Sequence, residues 1–214
     1  MAISTGRLAV AATCFVAIGL VVTYALTRTG AGNDIFADCR QGVVSGAAQI
    51  GGPFTLTDEN GRSVTDREVI TGPTLVYFGY SFCPDVCPVD AARNAEATDA
   101  LEEMGYQVTP VFVTVDPERD TPEVLKDFTE ALHPRMLGLT GTDEQVRAAA
   151  QAYKVYYKSQ RKDDPDFYLV DHSTQTYLMF PRLGFAEFFN RDVDAQQMAE
   201  RSACFIEAAR KAGI

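Results

Sequence analysis

Two cysteines, Cys83 and Cys87, lie in the segment CPDVCP, where three residues separate them and a proline follows each. Proline is tolerated in the first turn of a helix, so Pro88 places a helix start within this segment. Unpaired N–H groups and the helix dipole lower the pKa of a nearby thiol, and the thiolate can attack a disulfide or bind a metal. We therefore expect an exposed, reactive pair on one helix face; a structural disulfide, or two cysteines buried as small hydrophobic residues, are the alternatives.

The spacing of this pair separates two kinds of chemistry. Redox sites of the C-x-x-C type have two residues between the cysteines, whereas this chain has three. The added residue favours a metal ion, rather than a sulphur–sulphur bond, as the link between the two side chains. Thiol–disulfide exchange stays open as an alternative, and in it Cys83 and Cys87 are the catalytic residues.

A third ligand has to come from one of two histidines, His133 and His172. His133 precedes a proline at the end of a predicted helix, where a solvated loop histidine is the simpler interpretation. His172 lies between two apolar runs, which indicates a loop at a strand edge. Two thiolates and one imidazole form a soft donor set that suits Cu(I), whereas Zn(II) needs a further ligand. A histidine that only hydrogen-bonds to nearby backbone is the alternative.

The elements that must position these residues alternate between strand and helix. Apolar runs at 74–80 and 108–115 predict two buried strands, and the cysteine segment lies between the first strand and a helix at 89–104. This order implies a three-layer α/β sandwich, in which ligands bind at the carboxyl ends of strands. The other predicted elements are a hairpin around Asn60–Gly61, helices at 120–132 (capped by Asp120), 142–157 and 193–211, and strands at 167–170 and 176–180.

An apolar segment precedes this folded part. Residues 8–27 contain no charged side chain, and as a helix they would span about 30 Å, the thickness of a bilayer core. We predict an uncleaved transmembrane anchor within 1–27, a tether at 28–52 and a folded domain at 53–214; a cleaved signal peptide is the alternative. Residues 1–7 lack the features of an organellar presequence, which favours a bacterial inner membrane with the domain facing the periplasm.

Charge and composition limit the class of partner. Of the 214 residues, 46% are hydrophobic, which is typical of a folded chain. The 29 acidic residues exceed the 19 Lys and Arg residues, for a net charge of −10. Nucleic acid is disfavoured as a partner, because its phosphates need a basic surface.

Two further cysteines, Cys39 and Cys204, lie outside the CPDVCP segment. In an oxidising compartment they can pair and tie the tether to the terminal helix, or remain free. Whether they form a disulfide depends on the distance between them in the folded chain, which cannot be read from the sequence.

Four segments of the domain together resemble the Sco/SenC family of membrane-anchored copper proteins. They are Phe82–Pro88, Val113–Glu123, Leu137–Thr142 and Val170–Ser173. The resemblance implies a thioredoxin-like fold and one copper ion per chain, as Cu(I), Cu(II) or both, held by Cys83, Cys87 and His172. It also implies that the acidic pair Asp116 and Asp120 contacts partners, with a helix cap and solvated neighbours as the alternative.

The function implied by the resemblance is copper delivery to the dinuclear copper centre of cytochrome c oxidase subunit II during assembly, after uptake from an upstream copper donor. Such a copper chaperone is not an enzyme in the ordinary sense. The alternative is a thiol–disulfide oxidoreductase that reduces the cysteines of that centre through a mixed disulfide. His172 favours the copper role, because exchange between thiols and disulfides does not require an imidazole.

Overall fold

The computed structural model describes Gly19, Thr23 and residues 34–40, 50–160 and 167–214. The chain divides into two compact units, 1–37 and 38–214. In the first unit, a turn is closed by the Ala37 N–H, which donates to the carbonyl of Asp34. Apart from Gly19 and Thr23, which are helical, the predicted anchor at 8–27 lies outside the described residues. Within the described part of the chain, no helix has both the length and the apolar character needed to cross a bilayer.

The second unit is built around a mixed β-sheet. In chain order its elements are β1 (Thr55–Asp58), β2 (Ser63–Thr65), α1 (Asp66–Val69), β3 (Thr74–Gly79), α2 (Val86–Glu103), β4 (Thr109–Thr114), α3 (Pro122–Leu132), β5 (Leu137–Thr140), α4 (Asp143–Ala152), β6 (Tyr157–Ser159), β7 (Val170–His172), β8 (Thr176–Phe180), β9 (Gly184–Phe189) and α5 (Ala195–Lys211). Seven strands form one sheet in the order β2-β1-β5-β4-β3-β8-β9, and β6 pairs with β7 in a second, two-stranded sheet.

Strand β3 lies inside the main sheet. Every residue of its sequence TLVYFG is buried, and since successive side chains point to opposite faces, both faces of the sheet are covered here. β3 runs parallel to β4 and antiparallel to β8, with Tyr77 opposite Thr176. The start of β8 therefore lies beside the end of β3, at the edge from which the cysteine segment leaves the sheet.

The N-terminal hairpin forms as predicted. β1 and β2 pair antiparallel with Leu56 opposite Val64, and Gly61 in the turn has a φ of 74°. This left-handed conformation costs glycine little, which is why an Asn-Gly pair indicates such a turn. The hairpin joins the main sheet through β1, which pairs with β5.

Two predicted helix boundaries are wrong. Thr121, not Asp120, caps α3, and its hydroxyl accepts a hydrogen bond from the N–H of Val124. Pro122 explains this, because a residue that precedes proline is held in the extended conformation that a cap needs. The helix predicted at 142–157 ends at Ala152, and Lys154 has a left-handed φ of 57° that stops the helix before β6.

Cys39 and Cys204 are joined by a disulfide, with their Cα atoms 5.8 Å apart. The bond ties the beginning of the second unit to α5. Arg40 adds a contact to β9, because its Nε and Nη2 donate hydrogen bonds of 3.3 and 3.2 Å to the carbonyl of Ala186. Cys39 and Cys204 therefore pair in the structure and are not free.

Candidate metal centre

The cysteine turn joins β3 to α2. Cys83 lies in the turn and Cys87 is the second residue of α2, which begins at Val86, so the helix starts within the segment as predicted. The N–H of Cys87 points to Sγ of Cys83 at 3.4 Å. The expected exposure of the pair is wrong, since both side chains are buried. Both belong to the hydrophobic core of the second unit, which explains why they are not exposed.

His172 reaches the same place from β7, a strand that pairs with β6. Its Nε2 lies 3.1 Å from Sγ of Cys87, and its Nδ1 lies 2.8 Å from the carbonyl oxygen of Ser173. A carbonyl can only accept a hydrogen bond, so the proton belongs on Nδ1 and Nε2 keeps its lone pair. The ring is thereby oriented with a free nitrogen toward the sulphurs, as metal-binding histidines usually are.

Cys83, Cys87 and His172 form a potential metal site. Their two sulphurs and one ring nitrogen lie within 4.8 Å of one another, and no other group of three or more His, Cys, Asp or Glu in the described residues meets this criterion. Two sulphurs and an imidazole suit copper, which prefers soft ligands. The three residues could therefore form a copper site.

The two thiols of this site differ in acidity. Burial acts to raise the pKa of Cys83, but hydrogen bonds from the N–H groups of Cys87 and Asp85 and from the side chains of Cys87 and Tyr80 act in the opposite direction, and the pKa lies below its ordinary value. Burial raises the pKa of Cys87 far above its ordinary value. The expectation that the helix start lowers the pKa of both thiols is therefore wrong for Cys87. Burial lowers the pKa of His172, which keeps its imidazole neutral and able to bind a metal at neutral pH.

Two tyrosines of the β3 segment surround the imidazole. The rings of Tyr77 and Tyr80 meet the His172 ring edge-on, with centroids 6.2 and 5.9 Å away. The Tyr77 hydroxyl donates to Oδ2 of Asp90 at 3.0 Å, and the Tyr80 hydroxyl accepts from the N–H of Val170 at 3.3 Å. The sequence reasoning missed both, although the YFGY run just before the cysteines was a usable signal.

Asp120 lies behind the cysteine turn and is fully buried. Its carboxylate accepts hydrogen bonds from the N–H and the hydroxyl of Ser81, at 3.1 and 2.5 Å, and from the hydroxyl of Thr114 at 2.6 Å. Burial raises the pKa of Asp120, although these hydrogen bonds act in the opposite direction. The carboxylate thus fixes the residue that lies two positions before Cys83.

Asp116 is also buried. Its Oδ1 accepts from the hydroxyl of Tyr168 at 2.7 Å, and its Oδ2 pairs with Nε of Arg119 at 2.6 Å. The helix-cap alternative with solvated neighbours is wrong for the acidic pair, because both carboxylates have internal partners. Contact of Asp116 or Asp120 with another protein stays a prediction.

His133 is not brought to this site. It is buried, and its Nε2 lies 3.1 Å from Oδ1 of Asp99 in α2, while its Nδ1 accepts from the N–H of Arg135. The expectation of a solvated loop histidine is therefore wrong. The physical reason is that α3 packs against α2, so that Asp99 of α2 is within reach of the imidazole of His133, which directly follows α3.

Comparisons with known proteins agree with this geometry. Residues 43–207 match the family model described as SCO1/SenC. Protein SenC of Rhodobacter capsulatus is 53% identical over 213 residues, which cover 100% of this chain and 96% of that protein. The mitochondrial SCO1 homolog of Homo sapiens is 36% identical over 168 residues, which cover 78% of this chain and 56% of the human protein.

Solved structures of similar chains include copper-bound ones. The crystal structure of Arabidopsis thaliana ScoI with copper bound has a TM-score of 0.69 at 38% identity, and covers 76% of this chain and 99% of that one. Copper-bound yeast Sco1 has a TM-score of 0.71 at 34% identity, with 78% and 95% covered. The mixed α/β fold is accordingly the thioredoxin-like Sco fold. By its sequence match and by its structure, the chain belongs to the SCO1/SenC family.

Proposed function

We propose that this protein delivers copper to the dinuclear copper centre of cytochrome c oxidase subunit II while the oxidase is assembled. Cys83, Cys87 and His172 hold the ion during transit. The Sco/SenC family takes part in copper delivery and assembly of cytochrome c oxidase. The observation that carries the proposal is the convergence of two sulphurs and one imidazole nitrogen within 4.8 Å.

The donor set suits a carrier that has to release its ion. Three protein ligands leave room for a ligand from a second protein, so copper can enter from an upstream donor and leave to an acceptor by ligand exchange. Tight retention of copper by a fourth buried ligand would oppose such a transfer. The described residues near the site provide these three candidate ligands and no carboxylate close enough to join them.

The proposed setting is the bacterial inner membrane, with residues 8–27 as the anchor and the copper domain in the periplasm. The disulfide between Cys39 and Cys204 supports this setting, because such bonds persist in oxidising compartments and are rare in the cytosol. An anchored domain would stay near the oxidase subunits that it serves.

Copper stoichiometry and transfer test this function. The complete chain, purified in mild detergent, is expected to hold one copper ion, Cys83→Ser to hold far less, and Cys39→Ser/Cys204→Ser to hold as much as the parent. The loaded parent is then mixed with the copper-free soluble domain of subunit II, and the absorption of the dinuclear centre is followed. A parent that binds no copper, or that binds copper and never passes it on, contradicts the proposal.

Thiol–disulfide exchange is a second candidate, favoured by the unequal acidity of the two cysteines. The pKa of Cys83 is lowered, which provides an attacking thiolate, and the protonated Cys87 lies beside it as a resolving thiol. Cys83 would attack a target disulfide to give a mixed disulfide, and Cys87 would then release the target. Two thiols of this chain are oxidised to a disulfide, and one target disulfide is reduced to two thiols.

The reduced chain is incubated without oxygen with the oxidised subunit II domain to test this exchange. The target should gain two thiols for each pair lost by this chain, and His172→Ala should retain the activity. If Cys87→Ser stops at a stable mixed disulfide, the assigned order of attack is supported. Failure of the parent to reduce the target excludes this second function.

A further inference from the structure

Arg119 lies at the centre of an aromatic cluster beside the candidate copper site. Its guanidinium carbon is 3.7 Å from the ring centroid of Tyr168, 5.0 Å from that of Phe82 and 5.7 Å from that of Tyr80. Its Nε is paired with the buried carboxylate of Asp116 at 2.6 Å. The side chain is only 15% exposed, so it has exchanged most of its water contacts for these four neighbours.

The three rings come from the two segments that carry the metal ligands. Phe82 directly precedes Cys83, and Tyr80 is the first residue after β3, in the segment that leads to the cysteines. Tyr168 lies on the other segment, in the approach to β7 and its terminal His172. Arg119 therefore contacts the cysteine side and the histidine side of the site at the same time.

Hydrogen bonds extend this contact toward the imidazole. Tyr168 donates to Oδ1 of Asp116, the same carboxylate that holds Arg119. Two residues further along, the N–H of Val170 donates to the hydroxyl of Tyr80, whose ring meets His172 edge-on at 5.9 Å. The approach to His172 is thus held at Tyr168 and at Val170, and Arg119 packs against Tyr168 itself and against Tyr80, the partner of Val170.

The chemistry of this position suits arginine and not lysine. A planar guanidinium stacks on aromatic faces while its Nε pairs with a carboxylate, which a compact ammonium cannot do. Nη2 of Arg119 is buried and has no hydrogen-bond partner among the described residues. The ring faces provide the favourable surroundings that this N–H group would otherwise lack.

We propose that Arg119 is a positioning residue, which holds the strand carrying His172 against the cysteine turn and so sets the copper affinity of the site. The inference rests on the copper-binding part of the proposed function, and it does not depend on the identity of the donor or acceptor. In the described structure, the hydrogen bond and ion pair of Arg119 go to Asp116 and not to a metal ligand, so we expect it to act through Tyr168 and Tyr80. Its loss should therefore leave the fold in place and displace the imidazole.

The test compares Arg119→Lys with a matched variant, Arg201→Lys. Arg201 is 20% exposed, pairs with Glu187 at 3.3 Å and lies 5.0 Å from the Phe189 ring, but it touches neither ligand segment in the described structure. Cu(I) affinity of the complete chain is measured by competition with bicinchoninate. Arg119→Lys is expected to weaken it about 10- to 100-fold, the usual effect of residues behind metal ligands, while Arg201→Lys matches the parent.

Cu(II) spectroscopy and a double-mutant cycle show whether the effect runs through His172. In Arg119→Lys, the nitrogen hyperfine coupling in electron paramagnetic resonance should change. Adding Arg119→Lys to His172→Ala should cause little further loss of affinity, because the two substitutions remove the same contribution. If Arg119→Lys does not fold, Phe82→Leu at a side chain that is 53% exposed removes one ring and should weaken Cu(I) binding in the same direction.

The inference is overturned in three ways. In the first, Arg119→Lys, or Phe82→Leu in its place, matches the parent in Cu(I) affinity and in spectrum. In the second, Arg201→Lys weakens Cu(I) binding as much as Arg119→Lys does. In the third, Arg119→Lys lowers the affinity of the His172→Ala variant as much as it lowers that of the parent. A parent that binds no copper would instead refute the proposed function, so the two failures are distinguishable.

Discussion

Nε2 of His172 lies 3.1 Å from Sγ of Cys87, although 85 positions separate the two residues along the chain. The contact exists because β8 runs antiparallel to β3, which brings the segment before β8 next to the segment after β3. Two ligands therefore come from one local turn, and the third depends on the assembled sheet.

Removing the imidazole should separate the two candidate functions. His172→Ala is expected to weaken Cu(I) binding by at least about 10-fold, because it leaves two sulphurs of a three-ligand soft site. Competition with a Cu(I) chelator measures the affinity, and reduction of a small disulfide substrate measures thiol exchange, which should be retained. His133→Ala is the control for loss of a buried histidine outside the site, and it should bind copper like the parent. Equal copper retention by His172→Ala and the parent would contradict the ligand assignment.

The two thiols should react in a fixed order. The pKa of Cys83 is lowered and that of Cys87 is raised, so near neutral pH Cys83 has the larger thiolate fraction, and thiolate is the form that is alkylated. We expect iodoacetamide to modify Cys83 first in the copper-free chain, and its rate to rise with pH at lower values than for Cys87. Mass spectrometry of the peptides gives both rates, with Cys83→Ser and Cys87→Ser to assign them. Equal rates across the pH range would show that the two surroundings do not differ.

The hydroxyl of Tyr77 should contribute to stability, because it donates a hydrogen bond to the buried carboxylate of Asp90. Tyr77→Phe leaves this carboxylate with Arg191, which donates at 3.0 Å, and should lower the free energy of unfolding by about 1–3 kcal/mol. Urea denaturation of the copper-free chain measures it. Tyr153→Phe is the matched control, since the Tyr153 hydroxyl is buried without a hydrogen-bond partner in the described structure, and its removal should cost nothing. A larger loss for Tyr153→Phe would reverse the interpretation.

The disulfide should contribute to stability and not to copper binding. Cys39→Ser/Cys204→Ser opens a link between residues 165 positions apart, and is expected to lower the free energy of unfolding by about 2–5 kcal/mol. Neither cysteine belongs to the metal cluster, so the Cu(I) affinity should equal that of the parent. The single variants control for the substitutions themselves, because each breaks the same bond. Loss of copper binding in the double variant would show that the link supports the site.

The central strands and the cysteine turn could be predicted because their signals are local. The run TLVYFG became a buried strand, and Pro88 located the start of α2. β5 was missed because it is short and contains Gly138, where a Cβ would approach Leu125 of α3 to 2.9 Å. β9 was missed because Glu187 interrupts its apolar run, and this buried carboxylate is tolerated through its ion pair with Arg201.

The ligands of the site could be named from sequence, but their surroundings could not. With two histidines in the chain and a family resemblance, His172 followed. The cluster around Arg119 joins Tyr80, Phe82 and Tyr168 from distant segments, so no spacing along the chain indicates it. The burial of Cys87 and the rise in its pKa also depend on packing that sequence does not contain.

The antiparallel pairing of β3 with β8 also determines when the copper site can exist. During synthesis, both cysteines leave the ribosome well before His172, and a local pair of thiols is then the only part of the site available. The complete set of donors requires a chain that has already closed its sheet around β3. Copper should therefore bind to a domain that has already folded, unlike the zinc of zinc-finger domains, whose binding drives folding.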